Sequence, residues 1–124
     1  MHKQRLSVGT FTNALRGIFL ATTTQVNFRI HLFAVILVSI FAVWLKVSQV
    51  EGLILFIMIA LVLTAEMINS AIESLGDTIT LEKNPGIGRA KDVSAGAVLV
   101  TAIFSATIAA LIFLPKIYYL LLNP

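Results

Sequence analysis

The chain has 124 residues, of which 58% are hydrophobic, and its mean hydropathy is +0.96. A single small soluble core cannot bury that much apolar surface, so the composition excludes an ordinary soluble domain and predicts an integral membrane protein. The net charge of +3 could suggest a nucleic-acid binder in a soluble protein, but the cations sit where a positive-inside membrane protein keeps them, so nucleic-acid binding is not expected. Cysteine is absent, which excludes disulfides, a thiolate nucleophile and cysteine-based metal sites.

The first predicted element is an amphipathic helix over about residues 7–24. Four apolar residues recur there at helical spacing: Phe11, Leu15, Ile18 and Phe19. This pattern is typical of a helix that lies on a membrane surface. The threonine run at residues 22–24 has poor helix propensity, so a merely polar leader is the alternative.

Three apolar runs follow, and each predicts a membrane-spanning helix. The runs occupy residues 32–45, 52–65 and 93–114. Because about 20 residues are needed to cross the hydrocarbon layer, only the third run is long enough by itself. We therefore expect spans at about residues 26–45, 50–72 and 93–114 of a single membrane-embedded domain over residues 1–124. The second helix is expected to continue into a polar segment.

Two connections join these spans. Residues 46–51 are predicted to form a short external turn, which makes the first two spans antiparallel neighbours. Residues 78–89 are predicted to form the only loop with room for chemistry, because residues 84–88 carry turn-forming Asn, Pro and Gly residues that cannot continue a helix. Asp92 and Ser94 are then expected at the start of the third span, where each could cap the helix or face a ligand.

The basic residues predict the orientation of the spans. Seven fall on one side: Lys3, Arg5, Arg16, Arg29, Lys83, Arg89 and Lys91. Only Lys46 and Lys116 fall on the other side, where Trp44, Tyr118 and Tyr119 fit an aromatic belt. The positive-inside rule therefore places the N-terminus and the second loop in the cytoplasm of a multi-pass protein.

A polar stripe interrupts the second apolar segment and is the most informative feature of the chain. At about 100° of turn per residue, Glu66, Asn69, Glu73 and Asp77 share one face of a helix, with Ser70 beside them. Carboxylates with water and phosphate oxygens are the ligands that Mg²⁺ prefers, and the second loop supplies Lys83, Arg89 and Lys91 as candidate phosphate-binding cations. The stripe is a candidate site for a metal and a phosphate.

A structural interpretation of the same residues stays open at this point. Glu66 and Asn69 could hydrogen-bond neighbouring helices, Glu73 and Asp77 could be solvated at a helix end, and Lys91-Asp92 could be an ordinary pair at a helix start. No GxxxxGK[ST] motif, zinc spacing or serine or cysteine triad is present. A channel is not favoured, since the polar groups do not continue through the other spans.

Two segments together resemble the signature of the prokaryotic diacylglycerol kinase family, to which undecaprenol kinases also belong. They are Ala65-Glu66-Met67-Ile68-Asn69-Ser70-Ala71-Ile72-Glu73, followed by Asp77, and Ala90-Lys91-Asp92-Val93-Ser94-Ala95-Gly96-Ala97-Val98. The similarity extends to residues 11–17 and 27–31. It implies a homotrimer of three-span protomers in the bacterial inner membrane, each with a surface helix. It also implies sites for ATP and Mg²⁺ at the cytoplasmic interface between subunits and a lipid alcohol as acceptor.

The resemblance also implies roles for individual residues. Glu66 matches the general base that faces the lipid hydroxyl, and Glu73 matches a metal-binding glutamate. The other polar residues are also expected in the site, with Lys91 and Asp92 near the nucleotide. The residues expected to take part in catalysis are Asn69, Lys91 and Asp92. Those expected to bind the nucleotide are Arg16, Asp77, Lys91 and Asp92. In-line transfer without a phospho-enzyme is expected.

Gln25 departs from the family pattern, which has a second metal-binding glutamate at this position. A glutamine offers Mg²⁺ an oxygen without a charge, so we expect Gln25 and Glu73 to form a working but weaker metal site. The alternative is a catalytically degenerate membrane subunit of the same fold.

Residues 29–31 and 94–98 resemble the undecaprenol branch slightly more, while the acceptor, diacylglycerol or undecaprenol, stays open.

Overall fold

The structure, a computed structural model, describes residues 8–123, and this part of the chain is entirely helical with no strand. It contains four helices: α1 over Val8–Thr24, α2 over Val26–Trp44, α3 over Gln49–Ile79 and α4 over Pro85–Leu122. By length and composition, α2, α3 and α4 can each cross a membrane. The prediction of an all-helical membrane protein with an N-terminal helix and three spans is confirmed.

Some residues used in the sequence predictions lie outside the described part of the chain. Ser7, the first residue of the predicted surface helix, is one of them. Lys3 and Arg5, which entered the prediction of orientation, are two others.

Helix α1 reaches α2 through a one-residue break. Gln25 has an extended backbone, with φ −98° and ψ 114°, and so separates two helical segments. The threonine run before it is helical despite its poor helix propensity, and the hydroxyls of Thr22, Thr23 and Thr24 each donate to the carbonyl four residues earlier. The predicted apolar face of α1 is exposed, with Phe11 and Phe19 about two-thirds accessible, as expected for a helix that rests on lipid.

The turn between α2 and α3 is shorter than the sequence predicted, because a capping box starts α3 early. The Ser48 hydroxyl accepts from the Glu51 backbone N–H at 3.3 Å, and the Glu51 carboxylate accepts from the Ser48 N–H at 2.6 Å. Lys46 makes the reversal with a positive φ of 50°. Glu51 therefore lies in the first turn of α3, where it pairs with the ammonium of Lys116 on α4 at 3.0 Å.

The loop between α3 and α4 is also shorter than predicted, since residues 85–89 are helical and not part of the loop. Asn84 caps α4, because its side-chain oxygen accepts from the backbone N–H groups of Gly86 and Ile87. Pro85 takes the first helical position, where a missing N–H costs nothing. The prediction that Asp92 or Ser94 caps this helix is wrong, because both lie about two turns inside it.

Helices α3 and α4 form the most extensive pair in the bundle, and α4 continues through Pro115 to Leu122. The bundle has two ends. We call the end where α3 stops at Ile79 and α4 starts at Pro85 the loop end, and the end where α2 stops at Trp44 and α3 starts at Gln49 the turn end. Few apolar residues are buried within the protomer, and most large ones on the spans are exposed. Such a surface requires lipid or other subunits around it.

Candidate functional site

The polar stripe of α3 faces the rest of the bundle and becomes more accessible toward the loop end. Glu66 and Asn69 are only 2% and 3% exposed, and Ser70 is buried beside them. Glu73, one turn further, is half-buried, and the Asp77 side chain is 57% exposed. One helix face thus carries carboxylates from a shielded position to the open end of the bundle.

Hydrogen bonds join the centre of this stripe to α4. The Ser94 hydroxyl donates to the side-chain oxygen of Asn69 at 2.7 Å and shares its proton with the Lys91 carbonyl of its own helix at 2.8 Å. The Asn69 amide N–H in turn donates to the Glu73 carboxylate at 3.2 Å. Because one amide both accepts from Ser94 and donates to Glu73, its orientation is fixed, and a chain of hydrogen bonds runs from α4 to the half-buried carboxylate.

At the loop end, Lys91 crosses from α4 to α3. Its ammonium lies 2.5 Å from the Asp77 carboxylate. The arm of Lys91 passes over Gly76, where an added Cβ would lie 2.9 Å from Lys91 Cε and 2.9 Å from a methyl of Ile87. Gly76 therefore matters for its missing side chain, which lets the lysine lie against the helix.

Glu66 opens into a pocket of about 230 Å³ between α2, α3 and α4. The polar residues of its wall are Glu66, Asn69, Asn27 and His31, and the rest of the wall is apolar: Ile30, Ala95, Val98, Leu99 and Ala102. Among residues 8–123 nothing forms an ion pair or a hydrogen bond with the Glu66 side chain. A carboxylate so shielded and so unpartnered is expensive within a membrane span and usually serves a function.

A second pocket, of about 370 Å³, lies at the loop end. Asp77 and Lys91 line it together with the loop at residues 80–84 and the first turn of α4. Lys83 adds a further cation to its wall. Two ammonium groups and two carboxylates, those of Asp77 and Glu82, in an open pocket match what a polyphosphate with a bound divalent cation requires.

No three acidic, histidine or cysteine side chains converge on one point in the described part of the chain. Mg²⁺ does not require such a cluster, because it commonly keeps several waters and takes one or two carboxylates together with substrate phosphates. Glu73 fits this use: it is half-buried, held by Asn69, and lies one helical turn from Asp77. The residues present therefore fit a Mg²⁺ bound together with a phosphate ligand.

Three predicted site residues stand apart from this group. Arg16 is exposed on α1, Gln25 is the half-buried residue between α1 and α2, and Asp92 is exposed on α4. No hydrogen bond or ion pair links any of them to the α3 stripe within residues 8–123. Their predicted roles in nucleotide and metal binding stay predictions.

The structural interpretation of the stripe is right for some residues and wrong for others. Asn69 does bond a neighbouring helix through Ser94. Asp77 is paired with Lys91 and is not merely solvated, and Lys91 lies well inside α4, so it does not belong to a helix start. The sequence offered Ser94 either as a helix cap or as a residue facing a ligand, and it assigned neither His31 nor Gly76 to the site. Only Ser94 gave a signal, since a hydroxyl follows Lys91-Asp92 at helical spacing.

Comparison with known proteins identifies the family of the chain. The sequence profile of the family described as prokaryotic diacylglycerol kinase matches residues 12–113. The chain belongs to this family. The match includes every predicted site residue and all three spans up to residue 113, so the resemblance inferred from the two motifs is confirmed.

Individual relatives agree with the family profile. The chain is 40% identical to the undecaprenol kinase of Bacillus subtilis (strain 168) over 108 residues, which are 87% of this chain and 88% of that protein. It is 37% identical to the diacylglycerol kinase of Escherichia coli (strain K12) over 88 residues, 71% of this chain and 72% of that protein. The family and these two relatives confirm the prediction of an enzyme of the lipid kinase class.

Proposed function

We propose that the protein transfers the γ-phosphoryl group of ATP to the hydroxyl of a membrane lipid alcohol, with Mg²⁺ as the metal. The observation that carries the proposal is the Glu66 carboxylate, which is 2% exposed, makes no hydrogen bond or ion pair among residues 8–123 and opens into a pocket between membrane-spanning helices. A shielded base next to apolar walls suits an acceptor that arrives from the bilayer. Both named relatives are kinases of lipid alcohols.

The proposed transfer uses few protein groups, as is usual for phosphoryl transfer. The lipid hydroxyl gives its proton to Glu66, and its oxygen forms a bond to the γ-phosphorus of ATP. The bond from that phosphorus to the bridging oxygen breaks, and ADP leaves with the electron pair. Asn69 keeps the base, Glu66, and the metal-binding carboxylate, Glu73, in position relative to each other. No phospho-enzyme is formed.

The remaining residues have proposed roles in binding ATP and Mg²⁺. Glu73 and Gln25 would hold Mg²⁺, which when bound neutralises charge on the phosphates. Lys91 and Lys83 would face the phosphates in the loop-end pocket, while Asp77 would orient Lys91. Arg16 and Asp92 are further proposed nucleotide contacts.

The proposed orientation puts the loop end of the bundle in the cytoplasm. Five basic residues belong to this end in the described chain: Arg16, Arg29, Lys83, Arg89 and Lys91. The turn end holds Lys46 and Lys116, beside the aromatic ring of Trp44. By the positive-inside rule, the N-terminus then faces the cytoplasm of a bacterial inner membrane, where ATP is present.

A homotrimer is the proposed assembly. The protomer leaves large apolar side chains exposed on all four helices, which second and third copies could partly cover. Arg16, Gln25 and Asp92 show no link to the α3 stripe within one protomer, as expected if part of each site comes from a neighbouring copy. Light scattering of the detergent-solubilised protein measures this mass directly.

The test of the proposed function is the transfer of labelled phosphate from ATP to undecaprenol or diacylglycerol in mixed micelles. Glu66→Gln should reduce turnover by about 10²-fold or more, the low end of what a general base contributes. Glu51→Gln is the matched control, because Glu51 lies at the turn end, lines neither the Glu66 pocket nor the loop-end pocket, and can be replaced by glutamine in a capping box. Full activity of the folded Glu66 variant would remove this carboxylate from the mechanism.

The second candidate function is a non-catalytic membrane subunit of the same fold, and Gln25 is the observation that favours it. A glutamine lacks the charge of the metal-binding glutamate that the family has at this position. ATP binding by the purified protein, without labelled lipid from either acceptor at any Mg²⁺ concentration, would establish this second function.

A further inference from the structure

The turn end of the bundle carries a pocket of its own, at the opposite end from Asp77 and the loop. Two lysines line it, Lys46 from the α2–α3 turn and Lys116 from α4, together with the aromatic side chains of Trp44 and Tyr119. The rest of its wall is apolar and consists of Leu45, Pro115 and Leu120. We call this pocket the turn-end pocket. None of its lining residues belongs to the proposed kinase site.

Every polar side chain in the wall of the turn-end pocket can donate a hydrogen bond. The two ammonium groups and the Trp44 indole N–H only donate, and the Tyr119 hydroxyl can donate as well. Within the described chain, no carboxylate or amide side chain lines the pocket. A wall of this kind suits an anion with several oxygen acceptors, such as a phosphate group.

The positive charge of the pocket is only partly balanced within the protomer. The Lys116 ammonium lies 3.0 Å from the Glu51 carboxylate. The Lys46 ammonium forms neither an ion pair nor a hydrogen bond with any of residues 8–123. Two ammonium groups and one carboxylate leave one positive charge, and the single negative charge of a phosphodiester would match it.

The backbone at Lys46 gives a second, independent indication that its side chain has a role. Helix α2 ends in a Schellman motif, in which the Val47 N–H donates to the Ala42 carbonyl at 3.1 Å. The Lys46 N–H donates to the Val43 carbonyl at 3.2 Å, which completes the motif. Lys46 thus takes the left-handed position, with φ 50°, where glycine is usual because a Cβ is unfavourable. Strained residues of this kind concentrate at functional sites.

The aromatic residues place the pocket at the level of the lipid headgroups. The Trp44 ring packs edge to face against Phe41 with the centroids 5.8 Å apart, and Phe41 packs against Phe113 of α4 at 5.9 Å. These contacts hold Trp44 in place beside the lysines. Tryptophan and tyrosine are typical of the headgroup level of a bilayer. The phosphates of the lipids therefore lie at the same depth as Trp44 and Tyr119.

The distribution of basic residues makes the pocket unusual within this chain. Lysines at the turn end run against the positive-inside pattern that the loop end follows. In the described chain the turn end holds two basic residues, Lys46 and Lys116, and both line the same pocket. Lysines that only extend toward water from a helix end would not need to converge in this way.

We propose that the turn-end pocket binds the phosphodiester headgroup of an anionic phospholipid from the leaflet at that end of the bundle. Lys46 and Lys116 contact the phosphate oxygens, and Trp44 and Tyr119 donate to headgroup oxygens at the same depth. The bound lipid balances the remaining positive charge and connects the α2–α3 turn to α4. This site is separate from the proposed kinase reaction and does not depend on it.

Trp44 makes binding directly measurable, because it is the only tryptophan among the 124 residues. The full chain is reconstituted into phosphatidylcholine vesicles that contain increasing fractions of a lipid brominated close to its headgroup. The brominated lipid is either phosphatidylglycerol or phosphatidylcholine, and bromine quenches Trp44 fluorescence on contact. We expect quenching by phosphatidylglycerol to saturate at a mole fraction at least about fivefold lower, the effect of one lysine near an anionic lipid.

Three variants test the assignment of charges. Lys46→Gln should raise the half-saturating mole fraction of phosphatidylglycerol by about fivefold. Glu51→Gln should lower it by about twofold or more, because Lys116 loses its competing carboxylate while glutamine keeps the capping box. Arg29→Gln is the control and should leave it unchanged, since Arg29 is exposed near the other end of α2 and does not line the pocket.

A fourth variant separates the side chain of Lys46 from its backbone. Asparagine tolerates the left-handed position, so Lys46→Asn should not lower the unfolding temperature in pure phosphatidylcholine. Addition of phosphatidylglycerol should raise the unfolding temperature of the wild type more than that of the variant. An equal rise in both would contradict a role of the Lys46 side chain in lipid binding.

The quenching experiment has two further outcomes that would overturn the site. Equal quenching by the two brominated lipids, or unchanged saturation in folded Lys46→Gln, would show that no anionic headgroup is selected. Weak quenching by both lipids would show that a second copy of the chain covers Trp44 in place of a lipid. Neither outcome affects the proposed kinase, whose phosphate transfer is measured separately.

Discussion

Removal of the Ser94 hydroxyl should weaken both the bundle and the metal site. In Ser94→Ala, the side-chain oxygen of Asn69 loses its donor at 2.7 Å while Asn69 stays 3% exposed, so a buried acceptor is left without a partner. Interhelical hydrogen bonds in membranes contribute about 0.6 kcal/mol on average and up to about 1.7 kcal/mol. We therefore expect the free energy of unfolding to fall by about 1 kcal/mol.

The same substitution should also weaken the hydrogen bond to Glu73, because Asn69 no longer has a fixed orientation from which to donate to that carboxylate. Direct partners of metal ligands change metal affinity by about 10–100-fold. Ser94 acts one bond further away, so we expect the apparent Mg²⁺ affinity to fall by about threefold to tenfold.

Unfolding in mixed micelles, followed by circular dichroism, measures the first effect, and the Mg²⁺ dependence of lipid phosphorylation measures the second. Ser39→Ala is the matched control, since the Ser39 hydroxyl donates only to the Val35 carbonyl on the exposed side of α2. Equal effects of the two variants, or an unchanged Mg²⁺ dependence in folded Ser94→Ala, would refute the role of the hydrogen-bond chain.

Two further variants test the loop end and the metal site. Gly76→Ala should raise KM for ATP by several-fold, because the new Cβ displaces the Lys91 side chain from Asp77. Gly96→Ala is the control and should leave KM unchanged, since a Cβ there meets nothing within 4 Å. Equal KM values for the two variants would show that the position of Lys91 is unimportant. Gln25→Glu should increase the apparent affinity for Mg²⁺ in the kinase assay by adding a charged ligand, and an unchanged affinity would count against Gln25 as a metal contact.

The number and type of helices could be predicted from the sequence, because apolar runs of this length have few alternatives. The ends of the helices could not. A glycine-rich segment after Asn84-Pro85 is compatible with a loop or with a capped helix start, and only the hydrogen bonds from Gly86 and Ile87 to Asn84 decide between them. Similarly, the capping box of Ser48 and Glu51 places a residue in α3 that composition assigns to the turn.

The stripe of the candidate site could be predicted from helical periodicity alone, since Glu66, Asn69, Glu73 and Asp77 lie on one helix. Partners on other helices could not, because their distance in sequence carries no periodic signal. Ser94 reaches Asn69 across 25 residues, and His31 lines the Glu66 pocket from α2. The family signature supplied Lys91 without its contact to Asp77, which depends on the absence of a side chain at Gly76.

The five-residue loop at residues 80–84 also bears on how the chain enters the bilayer during synthesis. A helix that carries Glu66 and Asn69 is costly to insert alone, because both groups would face hydrocarbon. Helix α4 begins directly after that loop and shields both groups in the folded protein. We therefore expect α3 and α4 to enter the membrane together as a helical hairpin, and a nascent chain that stops at Ile79 to insert poorly.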